Sequence, residues 1–264
     1  MRPLSFGLAM FVACMSLACR AGSQAGDAAG RHRIVQPPRD NGGRDSPPAM
    51  AVRARARRYV TRFPLTEDPI SEGGRWIAGG AVGLDWSNVS TTPGLAIGRQ
   101  TGASYTDANA ILSGAWGPDQ SASATVHVTR ANDACAQEVE LRLRSAISAH
   151  VNRGYEISYK SSQSPSAYLI IVRWNGALGS YTYLFKRSGA EFGVKDGDVV
   201  SASVVGDLIS AYKNGVQMAQ ATDRTFATGS PGMGFNLENG PPGCAGTNRD
   251  YGFTSFAATD SIGG

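Results

Sequence analysis

The chain has 264 residues, 42% of them hydrophobic and 17% charged, with 33 glycines. Glycine at one residue in eight, with charge below the roughly 25% of an average globular chain, excludes a coiled coil and argues for turns and strands over long salt-bridged helices. The formal charge of +4 is unevenly placed: residues 1–62 hold 11 Arg and 3 Asp, net +8, and the rest is net −4, so nucleic acid is not the expected partner of the folded part.

In chain order, Arg2 precedes an apolar run from Leu4 to Leu17, the length of a signal-peptide core and short of the roughly 20 residues of a membrane span. Residues 1–19 therefore read as an export signal. Ser16-Leu17-Ala18-Cys19 resembles the lipobox of bacterial lipoproteins, with Ser16 where leucine is usual. Either Cys19 is lipidated and supplies the only membrane attachment, or the chain is cleaved after Ala18 or Ala21 and secreted. Residues 20–62 are rich in Gly, Ala, Ser, Pro and Arg, with Pro37-Pro38 and Pro47-Pro48, and bury too little to offset ordering entropy. They read as a basic linker; Arg53, Arg55, Arg57 and Arg58 are either solvated or in contact with anionic envelope polymer. With Cys14 and Cys19 in the export segment, Cys135 and Cys244 remain for the folded part. In an exported chain they are expected to pair, stabilising the fold by up to about 4–5 kcal/mol through closure of a long loop.

Residues 63–264 carry period-two alternation with turn signals every eight to twelve positions. Strands are predicted at Ser123–Thr129, Gln137–Ser145, Tyr155–Lys160, Ala167–Trp174, Tyr181–Lys186, Gly232–Asn236 and Tyr251–Ala257. From Val199 to Gln217, turns at Gly206-Asp207 and Asn214-Gly215 imply two hairpins that share a middle strand. So many antiparallel strands without an amphipathic helix imply an all-β fold, two sheets packed face to face.

The hairpin Gly206-Asp207-Leu208-Ile209-Ser210-Ala211-Tyr212-Lys213-Asn214-Gly215-Val216, followed by Gly229-Ser230-Pro231-Gly232-Met233-Gly234-Phe235, resembles the closing half of laminin-G-like and concanavalin A-like jelly rolls. Flanking stretches, Ile70 to Trp76, Ile171 to Gly176 and Tyr251 to Phe256, are similar to exported bacterial members of that superfamily. The resemblance implies a curved antiparallel jelly-roll sandwich whose concave sheet often binds carbohydrate, as lectin, glycanase or polysaccharide lyase. Fold analogy alone assigns no activity.

In Glu138-Val139-Glu140-Leu141-Arg142-Leu143-Arg144, the aliphatic residues face the core and Glu138, Glu140, Arg142 and Arg144 line the other face. They form either a polar groove for sugar hydroxyls and acidic substituents or a row of ion pairs on a solvent face. Laminarinase-type hydrolases carry Glu-x-Asp-x-x-Glu or Glu-x-Asp-x-Glu on such a strand; here Glu138 and Glu140 match only the first half, and Arg142 or Leu143 stands where the last carboxylate belongs. A lyase needs a cation to neutralise a uronate, Arg142 or Arg144, and a base, Tyr183 or His150, but no complete family motif is present. Tyr168 and Trp174 share a face and form either a sugar-stacking platform or part of the packing; Tyr181 and Tyr183 admit the same two readings. Trp76, Trp86 and Trp116 are expected in loops, locking irregular backbone or capping the sandwich. Calcium is a possible ligand, with Asp196 and Asp198 the candidate carboxylates, although aspartates on a turn also serve backbone N–H groups. The leading expectation is an exported domain that binds extracellular or cell-envelope polysaccharide. The alternatives are a polysaccharide-degrading enzyme, lyase ahead of hydrolase, and a non-catalytic adhesion module.

Overall fold

The structure is a computed structural model that describes residues 56–101, 107–238, 244 and 246–260. The export segment, Cys19 and most of the linker lie outside the described residues. Contacts divide the chain after Ala51, and the unit Val52–Gly264 holds everything described here.

In chain order the strands are β1 (Arg58–Thr61), β2 (Trp76–Ala78), β3 (Val89–Thr92), β4 (Leu95–Gly98), β5 (Ala108–Leu112), β6 (Gln120–Val128), β7 (Ala136–Ser148) and β8 (Val151–Lys160). They continue as β9 (Tyr168–Gly176), β10 (Tyr181–Ser188), β11 (Val199–Val205), β12 (Leu208–Lys213), β13 (Val216–Thr222), β14 (Ser230–Glu238) and β15 (Tyr251–Thr259). They build two antiparallel sheets packed as a sandwich. One runs β13-β12-β11-β6-β15-β4-β3, with β1 also on β15; the other runs β10-β9-β8-β7-β14-β5-β2. Each sheet mixes strands distant in sequence, which is why neither sheet is complete until the chain has nearly ended.

Local sequence explains the best-formed pieces. In β11, Val200, Ala202 and Val204 are buried while Ser201 and Ser203 face outward. The β12–β13 turn has Asn214 at φ 52° and Gly215 at φ 79°, the two positive angles of a type I′ hairpin. Asn175-Gly176 ends β9, and the chain reverses over Ala177 to Ser180. The first strand lies inside the segment that composition assigned to the linker. Arg58 to Thr61 pair with Phe256 to Thr259, and Tyr59 is buried, so a Pro- and Arg-rich stretch closes into structure where Tyr59 and Phe63 enter the core.

The main core lies between the sheets, built on Phe63, Trp76, Leu141, Tyr159, Phe235 and Phe253 among others. A second apolar cluster, Leu84, Trp86, Ile170, Val172 and Trp174, covers the outer face of the seven-stranded sheet. Of the tryptophans expected in loops, Trp76 is in β2 and donates to the Tyr59 hydroxyl at 2.8 Å, Trp86 caps that outer face, and the Arg57 guanidinium stacks 4.8 Å from the Trp116 ring. Cys135 and Cys244 form the expected disulfide, with Cα atoms 4.8 Å apart.

Candidate functional site

The outer face of the seven-stranded sheet concentrates the molecule's buried charge. Alternation in β7 turns Val139, Leu141 and Leu143 into the core and Glu138, Glu140 and Arg142 outward. Register sets Arg142 opposite Glu156 and Glu140 opposite Ser158 on β8. On the other side, Glu140 faces Gly234 of β14, which in turn faces Asn109 of β5. Gly234 is needed here because a Cβ at that position would overlap Glu140 Oε2 and lie 2.8 Å from Arg142 Nη2 and 2.7 Å from the Ala108 carbonyl. The two side chains therefore lie across a floor that only glycine leaves open.

Arg142 organises the cluster. Its Nη2 binds Glu140 Oε2 and stands 3.6 Å from Asp107 Oδ2, while Nη1 is 2.6 Å from Glu156 Oε2. Glu156 also accepts from Trp174 Nε1 at 2.5 Å and from Ser158 Oγ at 2.6 Å. Trp86 lies over the guanidinium at 5.1 Å and packs edge-on against Trp174 at 4.4 Å. Glu140, Arg142, Asp107 and Glu156 are consequently no more than 2% exposed. One oxygen each of Asp107, Glu140 and Glu156 falls within 4.8 Å of the others, the one such group of potential metal ligands among the described residues.

Burial and repulsion from Glu156 hold the Asp107 and Glu140 carboxyls well above the ordinary carboxylate range, against the opposing pull of Arg142. Glu138 is pushed up to about 7, by burial first, with the Tyr168 hydrogen bond opposing. Tyr168 donates its hydroxyl to Glu138, and Lys160 lies 5.9 Å from the Tyr168 ring. Lys160, lowered by burial, donates to the Asp133 carbonyl at 2.8 Å.

The row read as Glu138, Glu140, Arg142 and Arg144 on one face breaks at its last member. A bulge between Leu143 and Ala146, with Arg144 at φ 46°, turns that side chain away. Its guanidinium donates to the carbonyls of Pro118 (2.7 Å), Phe226 (2.9 Å) and Gly206 (2.8 Å), tying three loops together. Nor is the rest of the row a solvent face: all four residues are buried. Trp174 is on the expected face but buried at 1% beneath Trp86 and Tyr181, so it offers no open platform.

Tyr183 is 45% exposed, packs against Tyr181 at 5.2 Å and has the Lys186 ammonium 4.6 Å from its ring. A hydrogen bond to Tyr183, followed by burial, pushes Tyr181 up to about 12. Tyr168, Tyr181 and Tyr183 thus form a ledge of partly open rings beside Glu138. His150 is exposed at the β7–β8 turn, where Nδ1 is 2.7 Å from Asp85 Oδ1 and its backbone N–H binds the Gly83 carbonyl, fastening the loop that carries Trp86. Asp196 and Asp198 do not converge: Asp196 accepts from the Val128 N–H at 2.9 Å, and Asp198 from the Lys195 N–H and Asn214 Nδ2. Both serve the turn.

Sequence reading missed Asp107, Asn109 and Glu156, and named Trp86 only as a loop or capping residue. Glu156 was recoverable, because Glu156, Ser158 and Lys160 alternate with Tyr155, Ile157 and Tyr159 in the way β7 does. Asp107-Ala108-Asn109-Ala110 also alternates, but four small or polar residues carry no strand signal. Grooves lie beside β1 on the other sheet, one of about 460 Å³ at Arg58, Ser121, Ser123 and Thr259 and one of about 520 Å³ at Val60, Arg62, Leu65 and Arg75. Neither contains a cluster of buried titratable groups.

No family model and no curated protein matches the chain. Solved structures similar to it include the carbohydrate-binding module CBM66 from Bacillus subtilis, 13% identical over 73% of this chain and 96% of that one, TM-score 0.46. A β-glucanase of Bacillus licheniformis is also 13% identical, over 76% of this chain and 94% of that one, TM-score 0.46. Porphyranase B from Zobellia galactanivorans is 10% identical over 80% and 96%, TM-score 0.44.

Proposed function

We propose that the chain is an exported glycan-binding module, free or lipid-anchored through Cys19, whose sugar site is the tyrosine ledge on the outer face of the seven-stranded sheet. The supporting observation is the juxtaposition of Tyr168, Tyr181 and half-exposed Tyr183 with Glu138, Lys160 and Lys186. A pyranose presents C–H groups to a flat ring and hydroxyls at its edge; aromatic faces bordered by a carboxyl and ammonium groups match both. Lys186 favours glycans that carry acidic substituents.

Cleavage by elimination on the same ledge is the second reading. Half-exposed Tyr183, with the Lys186 ammonium 4.6 Å from its ring, is the candidate base on the ledge. Arg144 is committed to loop carbonyls, and Arg142 to carboxylates beneath Trp86. A retaining hydrolase fits less well, because the carboxylates near Glu138 are closed over and bound to Arg142.

The exported protein applied to a polysaccharide panel, with retention, reducing ends and unsaturated-product absorbance recorded together, separates these readings. Binding without products is expected, together with a loss of roughly tenfold or more in Tyr183→Ala at an unchanged Tm. Absence of retention on every glycan, or full retention by Tyr183→Ala, overturns the assignment; absorbance that disappears in that variant establishes the lyase.

A further inference from the structure

We propose that Asp107, Asn109 and Glu140 form a binding site for a hard divalent cation of the calcium type, on the outer face of the seven-stranded sheet. The site stands independently of the glycan reading. Asp107, Glu140 and Glu156 bring carboxylate oxygens within 4.8 Å of one another, and the cation that pairs with them is Arg142. Three buried carboxyls share one guanidinium, so full ionisation of the cluster requires a further cation.

The free coordinating atoms are well defined. Glu156 is spent, since its oxygens accept from Ser158, Trp174 and Arg142. Asp107 Oδ1 and Glu140 Oε1 have no hydrogen-bond partner among the described residues, and neither do Asn109 Oδ1 and Nδ2. Asn109 is fully buried. It stands in β5 two residues after Asp107, which precedes the strand, and faces Glu140 across Gly234, where no side chain intervenes. A cation would take Asp107 Oδ1, Glu140 Oε1 and Asn109 Oδ1 together, because calcium binds carboxylate and amide-carbonyl oxygens in one shell. The donors are all oxygen, with no cysteine or histidine, which selects a hard ion over zinc or copper. Rigid neighbouring strands favour the longer and less regular bonds of calcium over the strict octahedron of magnesium. This site is separate from Asp196 and Asp198, whose carboxylates hold a turn.

The test uses the purified exported protein after chelator treatment, titrated with CaCl2 and MgCl2 by calorimetry and thermal melting. One calcium per chain is expected, with magnesium weaker and Tm rising by about 3–5 °C for each tenfold increase of calcium above its dissociation constant. Asp107→Asn and Asn109→Ala each weaken binding by roughly tenfold or more, while Asp196→Asn leaves it unchanged. Terbium used as a calcium surrogate should emit on indole excitation, since the Trp86 and Trp174 rings stand over the cluster, and the emission should fall in Trp86→Phe. This measurement decides the matter if Asp107→Asn does not fold. A calcium-independent Tm, an unchanged affinity in Asn109→Ala, loss of binding in Asp196→Asn, or terbium emission indifferent to Trp86→Phe would each overturn the site.

Discussion

Arg144 gives the sharpest test of the architecture, because alternation assigns it to a binding face and the structure assigns it to the scaffold. Its guanidinium makes three bonds to backbone carbonyls at 2.7–2.9 Å, and its own N–H donates to Gln120 Oε1 at 2.9 Å. The side chain is 4% exposed. A hydrogen bond to a charged donor contributes about 1.5–3 kcal/mol net; three of them do not add fully, because the Pro118, Phe226 and Gly206 carbonyls lie in loops that water can reach once the side chain is gone. Arg144→Ala is therefore expected to cost ~3–4 kcal/mol. At ~2–4 °C per kcal/mol for a domain of this size, that lowers Tm by roughly 6–16 °C. Arg144→Gly removes the same bonds but suits φ 46° without strain, so it should be about 0.5–1 kcal/mol more stable than the alanine variant. Urea unfolding followed by fluorescence and circular dichroism gives both differences. A cost below ~1 kcal/mol, or lost glycan retention at unchanged stability, would refute the scaffold role.

Three further outcomes follow from the same geometry. Glu138 is protonated in both folded and unfolded chains below 4.5; between there and about 7 the unfolded chain ionises while the folded one keeps its proton, so this group lowers stability as pH rises and adds no further loss above about 7. In Glu138→Gln, measured in chelator, the decline of Tm across that window should be shallower than in the wild type. Gly234→Ala places a methyl group 2.7 Å from the Ala108 carbonyl and into Glu140, and an expected loss of ~2 kcal/mol or more in urea melts distinguishes this crowded floor from an ordinary strand glycine. Reduction of Cys135–Cys244, 109 residues apart, should lower stability by up to about 4–5 kcal/mol in the loop-entropy account, read as a shift of the urea midpoint with and without reductant.

Much of the scaffold was legible in the sequence, for reasons confined to neighbouring residues. Val200, Ala202 and Val204 alternating with serines require a half-buried strand, and Asn214-Gly215 supplies the backbone angles of its turn. Two cysteines left for the folded part were enough to pair Cys135 with Cys244. The short strands β2 to β5 were not legible, since three to five residues among glycines and serines carry too little pattern, and β1 was hidden in an arginine-rich stretch whose strand exists only because β15 is there to receive it.

The site divides along the same line. Sequence by itself put Glu138, Glu140 and Arg142 on one face, because successive side chains of a strand point to opposite sides whatever surrounds them. Only the tertiary structure decided what that face is. A bulge removes Arg144 from it, Gly234 clears the floor, the neighbouring hairpin strand brings Glu156, Asp107 and Asn109 arrive from a part of the chain some 30 residues before β7's charged row, and Trp86 closes over them. Charge balance in a buried patch depends on which groups meet in space, and that meeting is set by sheet order, to which local alternation is blind.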